Sequence, residues 1–363
     1  MSSVHLIITD LFLPDDIAAE VCRDLYLPAL EKILARGQSG FLQDAGLEGL
    51  LCKIFGLCRG GGFPIAPISA LFDGLGEGCW LRADPVHLRL QRDQLVLLPD
   101  VEVSPNEAAQ ICASLNEHFA GQGMEFLAPH PQRWYVRLER LPGIEATPLS
   151  QAIGRNVHDL LPKGAEALRW HQLFNEIQML LFSHPVNELR EARGDLTVNS
   201  LWFWGGGCDT LLMKPLASRL GEQSTLAKSL VMAKPADCGS SRHADSVTSD
   251  NVLAEMFAAA ANIPYSEWLG QWRKDEGSAA QLLVWTGLSA ALRRGDLNGW
   301  RAALSEFEAA YAQPLWHALR SGAITELTLD ASVGNGIRRL SLKRADAWAF
   351  WRRPKPLAAY SMV

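Results

Sequence analysis

The chain has 363 residues, with 34 Lys+Arg against 40 Asp+Glu for a formal charge of -6, 48% hydrophobic and 20% charged residues. That composition excludes disordered, collagen-like and disulfide-scaffold classes, and the length suffices for one large domain or two medium ones, each with its own core. It also lacks the basic surplus of a dedicated nucleic-acid binder, so nucleic acid is not an expected partner.

Val4–Ile8 is a short apolar, β-branched run that ends at Thr9-Asp10, which predicts a buried strand presenting a carboxylate at its C-terminal end. Without a basic region ahead of it, this is a strand rather than a signal peptide. Leu25–Arg36 places Leu27, Leu30, Ile33 and Leu34 at helical spacing and stops at Gly37, so a strand and an amphipathic helix open an α/β domain. Gly60-Gly-Gly-Phe-Pro-Ile-Ala-Pro67 reads as a long loop. Trp80–Arg89 and Gln94–Pro99 read as strands. Ser104–Phe119 reads as a helix with a capping box from Ser104 to Glu107 and Pro105 in the first turn. Arg133–Leu141 alternates as a half-buried strand, completing a small α+β subdomain.

Ala165–Phe182 reads as a long helix, and Ser200–Trp204 as an apolar strand that returns to the parallel sheet and runs into Gly205-Gly-Gly207. Asn251–Ala261 and Gly299–Ser321 follow as helices, Leu282–Thr286 as a buried strand, and Ile324–Leu329 with Ile337–Leu342 as strands joined at an Asn335-Gly336 turn. No uncharged apolar run reaches the roughly 18 residues of a membrane span. Seven cysteines, at positions 22, 52, 58, 79, 112, 208 and 238, form no C-x-x-C pair and read as free thiols. The expectation is a soluble cytoplasmic protein without a membrane partner.

Candidate chemistry is sparse. Gly60–Gly62 and Gly205–Gly207 lack the Walker lysine and the G-x-G-x-x-G spacing. Gly205, Gly206 and Gly207 are the better ligand candidates, because α/β proteins bind ligands at strand ends. Gly287-Leu-Ser-Ala-Ala291 misses the nucleophile elbow at its last position. His158, His184 and His243 belong to no paired metal motif, whereas Asp10 sits where α/β folds commonly hold a ligand or metal. Arg338, Arg339, Lys343, Arg344, Arg352, Arg353 and Lys355, with Trp348 and Trp351 among them, make a basic aromatic face that could receive a protein partner.

Several segments together resemble the archaeal-type branch of the cofactor-independent phosphoglycerate mutases, in the alkaline-phosphatase superfamily. They are Leu27–Gly37, Trp80–Leu88 with the Ser104–Phe119 helix, and most clearly His184-Pro-Val-Asn187, Arg190, Arg193-Gly194, Val198-Asn199 and Leu201-Trp-Phe-Trp-Gly205. The resemblance implies an α/β core of mainly parallel sheet flanked by helices, over 1–79 and 200–363, with an inserted α+β subdomain and connecting helix over 80–199. It also implies two divalent ions such as Mn or Zn, held by Asp and His, that activate a Ser or Thr nucleophile.

Here the pattern breaks. Asp10 matches the first ligand but is followed by Leu11 instead of glycine, and Leu47 falls at the nucleophile position. Trp285–Ala291 carries no D-x-x-x-H pair, the later Asp-His pair falls near Asp330-Ala331, and the last His falls near Phe350. Trp285, Trp348 and Trp351 crowd these stretches, as rings packed over a lost centre would.

The expected protein is therefore catalytically degenerate, without metal, a regulatory or metabolite-binding relative. Its cleft would hold a phosphorylated or carboxylated small molecule near Asp10, His184, Asn187, Arg190 and Gly205–Gly207. The alternatives are an active metal-dependent mutase or phosphatase with ligands relocated to Asp10, His243, Asp245 and Asp250, and an interaction scaffold.

Overall fold

The computed structural model describes residues 2–43, 46–57, 63–98, 101–208, 244–268, 270–275, 277–333 and 336–361. In chain order the first elements are β1 (Ser3–Ile8), α1 (Asp15–Val21), α2 (Pro28–Arg36), β2 (Gln38–Gln43), α3 (Leu47–Ile54), α4 (Ile65–Phe72), β3 (Cys79–Gln91) and β4 (Gln94–Leu98). Then come α5 (Pro105–His118), β5 (Met124–His130), β6 (Arg133–Leu138), α6 (Leu149–Ala152), α7 (Ala167–Phe182), α8 (Pro185–Arg193) and β7 (Ser200–Gly207). The last are β8 (Ser246–Ser249), α9 (Val252–Ala261), β9 (Tyr265–Glu267), β10 (Ala280–Trp285), α10 (Gly287–Arg293), α11 (Leu297–Phe307), α12 (Gln313–Ser321), β11 (Glu326–Val333) and β12 (Gly336–Lys343). The chain divides into two compact units, Met1–Gly56 with Asp237–Val363, and Leu57–Ala236.

The first unit is built on a seven-stranded sheet of order β2-β12-β11-β1-β10-β8-β9. β11, β1, β10, β8 and β9 run parallel, while β12 and β2 close one side antiparallel. β1 is central, which is why Leu6, Ile7 and Ile8 are buried without alternation. Val4, Leu6, Ile8, Leu283, Leu327 and Leu329 form one face of the core against Leu30, Ile33, Trp300, Leu304, Leu315 and Leu319. α2 has Pro28 in its first turn but no side-chain cap of its own. Glu308 supplies one from the wider turn Glu308–Ala312 between α11 and α12: its carboxylate accepts from the Ala29 and Leu30 N–H groups at 2.8 and 3.0 Å. A buried carboxylate at a helix N-terminus offsets both the orphan donors and the positive end of the dipole.

The second unit carries a five-stranded antiparallel sheet of order β4-β3-β6-β5, with β7 on the other side of β3. α5, entered through the Ser104/Glu107 capping box, and α7 bury Ala108, Ile111, Leu115, Trp170 and Ile177 with Trp134 and Phe203 of the sheet. Inside β3, Asp84 accepts from Arg82, at 2.6 Å at the closest, and from the Trp204 indole at 2.7 Å. The Arg82 guanidinium lies over the Tyr135 and Trp204 rings. The buried charge is thus both paired and stacked.

Three expectations are corrected. β7 does not return to the parallel sheet; its alternate contacts belong to β3, antiparallel, so 200–207 falls in the second unit. Cys79 and Cys208 are joined in a disulfide rather than free, because the Trp80↔Gly207 pairing brings the two strand ends together. Cys22 and Cys112 are buried, with burial pushing their thiols up, Cys112 to about 12; Cys58 and Cys238 lie outside the described residues. Trp348 and Trp351 are 55% and 69% exposed rather than packed inward, while Trp285 is buried. The other strand and helix tryptophans, Trp80, Trp134, Trp170, Trp202 and Trp204, are packed as their positions require. Among the described residues no helix is long and apolar enough to cross a membrane.

The Cys79–Cys208 link spans 129 residues of chain. Its loss in Cys79→Ser/Cys208→Ser is expected to destabilise the protein by about 2–4 kcal/mol, the usual range for a link that constrains the unfolded chain. Urea midpoints of wild type and variant under non-oxidising and oxidising conditions check this; identical midpoints throughout would show that the link contributes nothing.

Candidate functional site

The C-terminal ends of the parallel strands in the first unit gather most of its free polar groups. Thr9 follows β1, and its hydroxyl meets that of Ser289 on α10 at 2.7 Å. Asp10 turns the chain with φ 56, a left-handed conformation uncommon for a side-chain-bearing residue. Its N–H donates to the Ser332 hydroxyl at 2.7 Å, and its carbonyl accepts from the Trp300 indole at 3.0 Å. No hydrogen bond to its carboxylate is formed among the described residues. Asp250 follows β8 and accepts from the Thr286 N–H at 2.8 Å and its hydroxyl at 3.1 Å. The residue keeps an exposed edge, yet burial of its carboxyl pushes the pKa above the ordinary range, against the Thr286 donors. β10 stands between β1 and β8, so Asp10 and Asp250 are separated by two strand spacings, about 10 Å.

Asp330 has a different fate. It lies within β11, fully buried, directly across from Arg339 on β12 and beside Ile7 of β1. Arg339 donates two bonds to it, at 2.7 and 2.5 Å, and His5 Nε2 lies 2.7 Å away. Burial alone would raise the Asp330 pKa; the bonds from Arg339 and His5 hold it below the usual carboxylate range. The carboxylate that the resemblance sets among metal ligands is neutralised by the chain's own guanidinium.

The relocated ligand set does not assemble either. Asp245 precedes β8 and accepts from the Ala279 and Ala280 N–H groups at 3.0 and 2.9 Å, at the opposite sheet edge from Asp250. The four residues of β8 lie between the two and hold them roughly 16 Å apart, too far for one ion or for an ion pair. His243 lies outside the described residues. Leu47 opens α3 with an alkyl side chain where a hydroxyl would be needed. Among the described residues no three His, Cys, Asp or Glu side chains converge. The described members of this donor set do not fit a two-ion centre.

The remaining candidates belong to the second unit, where they hold the fold. His184 caps α8: its Nδ1 accepts from the Val186 N–H at 3.2 Å, which leaves Nε2 to donate to Ser114, 3.0 Å away. Burial keeps its pKa below the ordinary value, consistent with a neutral ring. Asn187 clamps two chain segments, donating to the carbonyls of Leu181 and Val198 at 2.8 Å each and accepting from Val198 N–H at 3.0 Å. Arg190 donates from its three nitrogens to the Leu196 and Glu102 carbonyls and to Glu107. Glu107, which burial alone would push up, is held down to about 2 by the Ser104 N–H, Arg193, the Ser104 hydroxyl and Arg190.

Gly205, Gly206 and Gly207 face other protein atoms. A Cβ on Gly206 would lie 2.6 Å from Leu81, and one on Gly207 would lie 2.7 Å from Pro67 of α4, so the glycines admit a helix rather than a phosphate. Thus the structure brings together Thr9, Asp10, Ser289 and Ser332, whereas His184, Asn187, Arg190 and the glycines serve a separate unit. The hydroxyls had no sequence signal beyond their position after strands. Arg339 and His5 had one, since both sit at alternate positions of runs that otherwise read as strands.

No protein-family profile matches the chain. A stretch of 65 residues, 18% of this chain and 16% of the other, is 35% identical to a probable 2,3-bisphosphoglycerate-independent phosphoglycerate mutase of Geobacter sulfurreducens. A longer stretch of 194 residues, 50% of this chain and 48% of the other, is 25% identical to the 2,3-bisphosphoglycerate-independent phosphoglycerate mutase of Methanosarcina mazei. The chain spans no more than about half the length of these relatives. In fold it is similar to the PH0037 protein of Pyrococcus horikoshii, with a TM-score of 0.52 at 12% identity over 94% of this chain and 87% of that one. The architecture is mixed α/β, a mostly parallel sheet flanked by helices. Within that class the chain resembles the cofactor-independent phosphoglycerate mutases.

Two measurements check the roles given to the charged clusters. Glu107 has a depressed folded-state pKa, so its contribution to stability is full above the unfolded value near 4.5 and is lost as pH falls through about 2. Denaturation of wild type and Glu107→Gln should show a gap at pH 6 that closes across this window; a gap independent of pH would contradict the assignment. Arg339→Ala should destabilise by about 2–3 kcal/mol by leaving Asp330 with His5 alone, and adding Asp330→Asn should recover part of the loss. Additive losses in the double variant would show that the pair is not coupled.

Proposed function

We propose that this protein is a catalytically silent relative of the phosphoglycerate mutases, with a binding or regulatory role. The observation that carries the reading is Asp330, whose carboxylate is engaged by Arg339 and His5 where the resemblance asks for a metal ligand. Phosphoryl transfer through an enzyme hydroxyl needs both a nucleophile and a means of raising its reactivity at neutral pH. Leu47 offers no nucleophilic atom, and Asp245 stands at the other end of β8 from Asp250, where it cannot join Asp10. Groups that work as a unit leave little activity when the unit is broken.

The polar strand-end edge, with Thr9, Asp10, Asp250, Thr286, Ser289 and Ser332, is the natural place for a retained small polar ligand. Open α/β sheets bind at that end of their strands. The exposed aromatic C-terminal segment favours a second role in surface contact.

The purified protein should show no mutase turnover with added manganese, and Leu47→Ser should not create any, because a hydroxyl alone restores only half of the device. Elemental analysis should find less than one equivalent of manganese or zinc. Turnover abolished by a chelator, together with stoichiometric metal, would overturn the proposal.

A further inference from the structure

The segment after β12 inverts the usual order of burial. Ala347, Ala349 and Leu357 are turned inward, while Trp348, Phe350 and Trp351 are 55%, 78% and 69% exposed. Residues 350–356 are all exposed. Burying a large aromatic side chain is stabilising, so three rings left outside represent stabilisation that the fold does not use. Their small neighbours anchor the segment: the Trp348, Ala349 and Phe350 N–H groups donate to the carbonyls of Ala345, Asp346 and Trp348, and Arg352 donates to the Arg36 carbonyl at 2.9 Å. The rings are therefore held outward.

Cations surround them. Arg320 sits over the Trp348 ring at 4.8 Å, and Arg344 reaches the end of α12 beside Gly322. Arg352, Arg353 and Lys355 follow directly in the chain. None of these five makes an ion pair among the described residues. Asp346 is the one acid between residues 343 and 355, and its carboxylate accepts from the Lys343 N–H. Arg36, close by through its bond to the Ala347 carbonyl, has its pKa lowered by burial and by the charge of Arg320.

We propose that this segment docks the protein peripherally on an anionic lipid surface. Trp and Phe rings settle at the boundary between headgroups and acyl chains, and flanking Arg and Lys bind anionic headgroups while their stems cover apolar surface. The excess of cations over acids, five against Asp346 in the segment, suits an anionic plane. No spanning helix is required. The sequence expectation of no membrane partner rested on the lack of an apolar run, which peripheral docking does not need.

The test is sedimentation of the full chain with vesicles of equal parts phosphatidylcholine and phosphatidylglycerol, and with phosphatidylcholine alone. Wild type should sediment with the anionic vesicles at low salt, be released at high salt, and ignore the neutral ones. Phe350→Ser/Trp351→Ser and Arg353→Glu/Lys355→Glu should each weaken partitioning about tenfold or more, with unchanged melting temperatures because all four side chains are exposed. The proposal is overturned by absence of binding to anionic vesicles, including the case in which an acidic protein binds the face instead. It is also overturned if the aromatic variant partitions as wild type does.

Discussion

A carboxylate inside a sheet cannot keep its charge without a counter-charge at hydrogen-bond distance, and in the first unit that constraint falls on Asp330. Taking the ion out of water costs several kcal/mol, which only a close and well-oriented cation returns. Arg339 does so across the β11–β12 pair, and His5 completes the shell from β1. A slip of one residue in either pairing would turn Arg339 or His5 to the other face and leave the charge alone. The ion cluster thus specifies the register of three neighbouring strands, and in doing so engages the carboxylate with the chain's own cation.

The second unit follows the same logic with both neutral and charged groups. Asn187 ties the end of α7 to the start of β7, Arg190 ties α8 to the entry of α5, and Asp84 holds Arg82 and Trp204 within the sheet. Each leaves buried backbone or charged atoms unpaired if removed, so each specifies a packing arrangement as well as stabilising it. The segment that most resembles the mutases, from His184 to Gly205, is therefore a set of fold determinants. Resemblance persists where side chains build the unit and fails at Leu47 and Asp330, where they would perform the reaction.

What could be read in the sequence was local. β1, α2 and the capped α5 follow from apolar spacing and from Ser104, Pro105 and Glu107, all of which act within a few residues. β11 and β12 do pair antiparallel where the sequence set a turn, with Val333 opposite Gly336, although Asn335 lies outside the described residues. What could not be read depends on partners distant in the chain. Ser200–Gly207 is a strand by composition, but its neighbour β3 lies more than a hundred residues away, and an apolar run does not declare which sheet receives it. The Cys79–Cys208 link was hidden by the same distance. His184 and Arg190 were legible as polar residues in a motif but not as caps and clamps, since a side chain that binds a ligand and one that binds a carbonyl look alike in sequence. Trp348 and Trp351 failed in the other direction, because nothing in composition distinguishes a ring turned inward from one held out by its small neighbours.

The most direct test of the account is a crystal structure of the protein grown with manganese and 3-phosphoglycerate. The account predicts that Arg339 and His5 remain on Asp330 and that no ion is coordinated at Asp10, Asp250 or Asp330. A manganese ion bound by Asp330 with Arg339 displaced, or bridging Asp10 and Asp250 through the ligand, would contradict it.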